Sequence, residues 1–323
     1  MKWLWLFCLL CWTACGGEEP AGETLLPPKD CEVTVSVRLD AASLRGMGDP
    51  GSGTGEGTAE WTRIDIFLVY DWGQVLHYSL GEDYVSGKEQ KFYAFAGTVR
   101  DVYAVAYKET GVTTVTASSE QGIQDLQTAL LSGFSTAEEK KAYLLSLFSG
   151  RAGKAIEVET EKITTIKVTL QRIIAKVDVQ WDAEDAYSPE GYVEARMGSI
   201  TLYGTERGWF FPQFHQAEEA LTYAGYYQAD DAVSERNGRT YFYTFSGQKN
   251  KFTFSVSHKK KGEGASEKTE YTAEFLSPLD AASWHKVNLS VKGTSFAAES
   301  HDLQLMSNQG NYHVTSLSSC ICL

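Results

Sequence analysis

The residue best placed to do chemistry is Cys15, which closes the run Leu10-Cys11-Trp12-Thr13-Ala14-Cys15. This is a lipobox-like end to a secretion signal. Lys2 supplies the positive start, Trp3 to Trp12 is apolar but too short to span a bilayer, and Ala14 is the small residue that cleavage needs. Cleavage makes Cys15 the first residue of the mature chain, where it would carry lipid, which anchors a protein without inserting it. Gly16-Gly17-Glu18-Glu19-Pro20 then has the composition of a flexible leash. An ordinary cleaved signal with a chance cysteine is the alternative, because Trp12 sits where an aliphatic residue is usual.

His77, His215, His258, His285, His301 and His313 are scattered, and none forms a metal spacing such as His-Glu-x-x-His. Gly51 to Thr58 is glycine-rich but lacks the Gly-Lys-Ser/Thr ending of a phosphate loop, and no Gly-x-Ser-x-Gly elbow occurs. Asp182, Glu184 and Asp185 form an acidic cluster without the twelve-residue calcium-loop pattern, so a solvated turn is expected. Asn288-Leu289-Ser290 fits a glycosylation sequon but falls in a strand. The expectation is no catalytic residue, no metal and no cofactor. Cys31, Cys320 and Cys322 remain beside Cys15 after the signal is removed. Three thiols make no disulfide framework, and both a bridge from Cys31 and free thiols stay open.

Removing residues 1–14 leaves 309 of 323 residues, enough for about two domains, and moves the formal charge from -13 to -14. That acidity argues against nucleic acid as a partner. Seventeen tyrosines and 15 phenylalanines favour sheet over helix.

The elements that must position any site follow from periodicity. Val33, Val35, Val37 and Leu39 alternate with polar residues, so one face of a strand is buried. A loop from Gly46 to Gly57 follows. Ile64 to Tyr70 is apolar on nearly both faces and predicts a central strand, with further strands at Phe92–Phe95 and Val102–Tyr107. One helical region is predicted over 123–148, with a capping box at Ser135-x-x-Glu138 that starts a second helix. Strands resume at Ile166 to Leu170 and Ile173 to Trp181, then at Ser199–Tyr203, Tyr241–Phe245, Phe252–Val256, Tyr271–Phe275 and Val287–Val291. Short strands at turn-like intervals predict β-sandwiches. Lys259-Lys260-Lys261-Gly262 is expected in a solvated hairpin loop.

Four segments carry a resemblance. Leu170-Gln171-Arg172-Ile173-Ile174-Ala175-Lys176-Val177-Asp178-Val179 looks like a Leu-x-Arg-x-x-Ala-Lys-Val segment that opens a second domain. Phe148-Ser149-Gly150 precedes it, Arg63 to Asp71 is similar to a first-domain core strand, and Val287 to Val291 looks like a closing strand. With the lipobox, the chain resembles the fimbrillins, lipoprotein precursors of type V pilus subunits. The resemblance implies a mainly β protein of two tandem transthyretin-like β-sandwich domains, with a small helical insertion in the first. The expected layout is a signal peptide 1–14, a leader 15–30, an N-terminal domain 31–170 with helices near 123–148, a C-terminal domain 171–293 and a tail 294–323.

The resemblance also implies a route: lipidation at Cys15, delivery to the outer membrane, and cleavage by a trypsin-like protease after a first-domain arginine. Arg45-Gly46 at the mouth of the Gly-rich loop fits that cut better than Arg38 or Arg63, which belong to strands. The cut removes the first strand, and the C-terminal segment of another subunit fills the groove as a donor strand. Residues 294–323 are the candidate donor, and the implied partners are other fimbrial subunits in a homo- or heteropolymer. An anchor or accessory subunit that keeps its lipid is the alternative. Another is a surface lipoprotein binding glycan or peptide through exposed Trp209, Phe210 and Phe211.

Overall fold

The computed structural model describes residues 29–39, 61–81, 84, 87–109, 115–188, 191–216, 222–228, 236–248, 250–260, 267–292, 295–299 and 303–306. The first sandwich is built from β1 (Cys31–Leu39), β2 (Arg63–Tyr70), β3 (Val75–Leu80), β4 (Glu89–Ala94), β5 (Gly97–Tyr107), β6 (Phe148–Ala152), β7 (Ile156–Val158) and β8 (Thr164–Arg172). Its strand order is β3-β2-β5-β6-β8-β1-β4, with β7 beside β5. β8 joins the two layers: Thr164 to Leu170 pair with β1, while Gln171 and Arg172 pair with Ser149 and Phe148 of β6. At that seam a Cβ on Gly150 would lie 2.2 Å from the Thr169 carbonyl oxygen, so only glycine lets β6 cross β8 so closely.

The second sandwich begins after a single residue, Ile173. One sheet runs β10 (Ala186–Ser188), β11 (Gly191–Gly204), β14 (Lys251–Lys260), β15 (Glu267–Phe275) and β18 (Leu303–Met306), with β12 (Thr222–Gln228) beside β11. The other runs β13 (Asn237–Phe245), β9 (Ile174–Glu184), β16 (Trp284–Lys292) and β17 (Ser295–Glu299). Ala175, Val177, Val179 and Trp181 of β9 face Ile200, Leu202, Phe252, Phe254 and Val256 across the core. The other face of β9 is solvent-exposed only from Gln180 onward, because Ile174, Lys176 and Asp178 are buried as well.

Among the described residues the α-helices form a small insertion: α1 (Glu120–Gln124) and α2 (Ala137–Leu145), with a 3-10 turn at Leu131–Gly133 between them. The second helix expected to start near Ser135 is present as α2, while Phe148, expected at the end of the helical region, opens β6. The capping box lies one residue later than predicted. Thr136 Oγ1 accepts from the Glu139 amide at 3.1 Å, and Glu139 Oε2 accepts from the Thr136 amide at 3.1 Å. Ser135 and Thr136 are each followed by a glutamate at the third position. The choice falls to Glu139 because its carboxylate also takes the Ser135 amide at 2.9 Å.

β2 is apolar on both faces because it serves two cores. Ile64, Ile66, Leu68 and Tyr70 face the interior of the first sandwich, and Phe67 and Val69 face a separate cluster between the sandwiches. That cluster gathers Tyr103, Val105 and Tyr107 of β5, Ile123, Leu131, Tyr143 and Leu144 of the helical insertion, and Ile173, Phe210, Phe211, Tyr243 and Phe245. Backbone bonds cross the joint. Thr128 N–H donates to Gly208 O at 2.9 Å, Leu131 N–H to Glu206 O at 2.8 Å and Phe210 N–H to Leu126 O at 2.9 Å. Among the described residues no helix is long and apolar enough to cross a membrane.

The joint predicts linked unfolding. Phe210→Ala removes a fully buried ring and should destabilise the protein by about 3–5 kcal/mol. Urea denaturation should show both sandwiches melting in one transition at a lower midpoint. Two resolved transitions in the wild type would contradict a shared core.

Candidate functional site

Of the residues to which the sequence assigns chemistry, Cys15, Arg45 and Gly46 lie outside the described residues, as do the loop Gly51 to Thr58, His301, His313, Cys320 and Cys322. The strand that ends before Arg45, β1, lies within the described residues. β1 sits between two neighbours, parallel to β8 from Val33↔Thr164 to Leu39↔Leu170 and antiparallel to β4 from Cys31↔Ala94 to Ser36↔Glu89. Val33, Val35 and Val37 are fully buried and Cys31 nearly so, packed with Ile166, Val168, Leu170, Ala94 and Phe95. β-branched residues at period two stiffen such a strand and fill one face. Burying each valine contributes about 1.5–3 kcal/mol. The three together rival the whole stability of a marginal domain, about 5–15 kcal/mol.

β1 is therefore an internal strand of the sheet. Among the described strands β4 pairs only with β1. Removing β1 would leave β4 without a partner, expose the ladder edge of β8 and open an apolar trough lined by Ile166, Val168 and Leu170. Cys31 opens the strand as a free buried thiol, and burial together with the neighbouring Asp30 pushes its pKa up, away from the reactive thiolate.

A second cluster has no counterpart in the sequence reading. Asp65 is wholly buried on β2 and accepts from His77 Nε2 at 2.8 Å, from Tyr107 Oη at 2.7 Å, from Arg63 Nε at 3.2 Å and from the Ser79 hydroxyl. The trio Asp65, His77 and Ser79 has the residue types of a nucleophilic triad but not its geometry. In a triad the imidazole uses one nitrogen for the acid and the other for the nucleophile. Here Asp65 lies on Nε2, Ser79 Oγ approaches the same atom at 3.5 Å, and Ser79 donates to Asp65 directly. The group is a buried carboxylate with its lone pairs filled. Burial alone would raise the pKa of Asp65, but bonds from His77, Ser79 and Tyr107 and the charge of Arg63 outweigh it and hold it below the ordinary value.

The remaining candidates resolve as follows. Among the described residues no three His, Cys, Asp or Glu gather as a metal site. Asp185 is engaged by Arg196, Arg236 and Tyr192, the last at 2.8 Å. Phe210 and Phe211 are fully buried in the joint, which corrects the expectation of an exposed aromatic surface. Trp209 stacks on His215 at 3.9 Å, so only part of its ring meets solvent. Lys176 of the Ala-Lys-Val segment is 2% exposed, its Nζ 4.2 Å from the Tyr241 ring centroid, and Asp178 beside it takes both Arg239 at 2.8 and 2.7 Å and Trp284 Nε1 at 3.0 Å. A cleft of about 570 Å³ opens at the joint between β6, β8 and the turns at 211–213 and 278–281. Its lining holds one carboxylate, Asp280, and no histidine or cysteine.

Asp65 predicts an acid-sensitive stability. Its folded pKa lies below the unfolded value, so its contribution is present above about pH 4 and fades as pH falls through the folded pKa. Asp65→Asn should cost about 2–3 kcal/mol at neutral pH and flatten the acid limb of a stability-versus-pH curve. An unchanged acid limb would show that Asp65 is not the group responsible.

No family model matches this sequence, and no curated protein matches it. Solved structures do. A protein described as a cell adhesion protein from Bacteroides eggerthii superposes with a TM-score of 0.56 at 15% identity, covering 83% of this chain and 88% of its own. A fimbrilin from Porphyromonas gingivalis superposes with a TM-score of 0.53 at 14% identity, covering 82% of this chain and 92% of its own. With two tandem sandwiches, an internal first strand and a small helical insertion, this chain has the fimbrillin-type fold.

Proposed function

We propose that the chain is the precursor of a cell-surface fimbrial subunit that assembles by strand addition. The observation that carries this reading is the seat of β1, an internal strand that closes the first core and is covalently followed only by residues 40–60 before the sandwich resumes. Lipidation at Cys15 holds the precursor at the outer membrane. A trypsin-like cut after Arg45 then severs β1 and the lipid together from the body of the subunit. The emptied trough offers a β8 ladder edge and an apolar floor, and an extended segment of another subunit satisfies both. A head-to-tail contact of this kind does not close on itself and so builds a filament.

The C-terminal segment is the donor in this scheme. β17 pairs with β16 over Ser295 to Glu299, and β18 pairs with β15 over Leu303 to Met306. Among the described strands each occupies a sheet edge, so both would leave without breaking the interior of the second sandwich. The same pairing supports a second reading, an anchor or accessory subunit that keeps its tail at home and its lipid attached.

Limited trypsin digestion of the chain from residue 16, with N-terminal sequencing and light scattering, separates these. One early cut after Arg45 followed by a ladder of oligomers is the expected result. A cut that leaves a monomer, or no cut at Arg45, would favour the anchor reading. In cells, Cys15→Ala should abolish incorporation of labelled palmitate and release the protein from the membrane fraction. Retained label would refute lipidation at Cys15.

A further inference from the structure

β1 is longer than its partner β4. The ladder between them ends at Ser36↔Glu89, yet β1 continues to Leu39. Beyond that point the edge of β1 is met by side chain and turn rather than by strand. The Val37 amide donates to Tyr84 Oη at 2.9 Å, and the Val37 carbonyl accepts from the Gly87 amide at 2.8 Å. Tyr84 Oη has two carbonyls in reach for its own proton, Lys88 O at 2.8 Å and Val37 O at 3.1 Å. Ser36 Oγ donates to Gly87 O at 3.1 Å. Gly87 has φ +82°, a left-handed conformation that glycine adopts without strain, and its amide faces β1. Tyr84 is itself buried at 7% exposure and packs with the first core, so its hydroxyl is held in place.

The position of this clamp gives it a role. It grips the C-terminal end of β1, the end nearest Arg45. A cut after Arg45 leaves only residues 40–45 beyond the strand, and a severed strand frays from its free end. We propose that Tyr84, with the Gly87 turn, is the gate on β1: it holds the severed strand in its seat after cleavage and sets the rate at which the trough opens. Cleavage alone then does not expose the apolar trough, and a subunit stays sealed until a competing strand displaces the clamped end. This rests on the strand-removal reading above and adds to it the residue that times the release.

The test uses Tyr84→Phe in the full mature chain, with Tyr70→Phe as a matched control. Tyr70 Oη makes the same kind of double bond to backbone, donating to Phe95 O and accepting from Phe95 N–H, both at 2.9 Å, away from Val37. Phenylalanine keeps either ring and deletes only the hydroxyl. In the uncut protein, hydrogen exchange of the Val37 amide should rise about tenfold to a hundredfold in Tyr84→Phe, the range expected for a buried donor left without its acceptor. It should stay near wild type in Tyr70→Phe. After trypsin cleavage, sizing with mass spectrometry should show the fragment ending at Arg45 leaving Tyr84→Phe at least tenfold faster than wild type. Unchanged Val37 exchange, or an equal rise in both variants, overturns the proposal. A fragment that leaves wild type and Tyr84→Phe at the same rate overturns the gate while strand removal stands. A fragment that leaves neither, even with a peptide of residues 294–323 in excess as the competing strand, contradicts strand removal, and the gate with it.

Discussion

The packing of Val33, Val35 and Val37 into the seam between the layers is the interaction on which the first sandwich depends. These side chains belong to a strand whose two neighbours come from distant parts of the chain, β4 on one edge and β8 on the other. β4 has no other partner among the described strands, and β8 is the element that carries the fold from one layer into the other. A strand so placed is ordinarily the last part of a sheet that a protein could lose. In the proposed scheme one cut after Arg45 separates it, so the nine residues that close the core are also the ones the scheme removes.

The joint between the sandwiches has the opposite character. Phe210, Phe211, Tyr243 and Phe245 from the second half pack on Phe67, Tyr103 and Tyr107 from the first, with the helical insertion as a third wall. Arg172 Nη1 donates to Leu145 O at 2.7 Å, and Ser246 Oγ donates to Ile173 O at 2.7 Å, so the crossover between the domains is tied on both sides. A continuous apolar core with backbone bonds across it resists hinge motion more than a polar linker would. Such a joint couples the two sandwiches mechanically, while the contacts of β1 stay local to the first.

Much of the architecture was legible in the chain because it rests on period-two patterns that survive any tertiary context. The alternation in Val33 to Leu39, Ile166 to Leu170 and Ile173 to Trp181 marks three strands, and the unbroken apolar run Ile64 to Tyr70 marks a strand buried on both faces. Where long-range contacts decide, the pattern is silent. Phe210 and Phe211, flanked by glycine and proline, look like an exposed loop, and only the facing β5 and helical insertion bury them. Asp65, His77 and Ser79 meet because the β2–β3 hairpin sets Asp65 opposite Ser79, a register that no local motif records. The helical region breaks at Leu131–Gly133 because that turn is fastened to Glu206 on the other domain. Tyr84 could not be singled out from its surroundings, since its partner lies 47 residues away. The lipobox and the Arg45 site stand on residue types alone.

The most direct measurement removes β1 and gives it back. Residues 46–323 would be produced alone and refolded with and without a synthetic peptide of residues 29–39, followed by circular dichroism melting and light scattering. The account predicts that the truncated chain alone has no stable monomeric state, associating or melting early. It also predicts that the peptide restores a monomer with the melting behaviour of the mature protein. A truncated chain that remains a stable monomer, indifferent to the peptide, would contradict the claim that the seat of β1 must be filled.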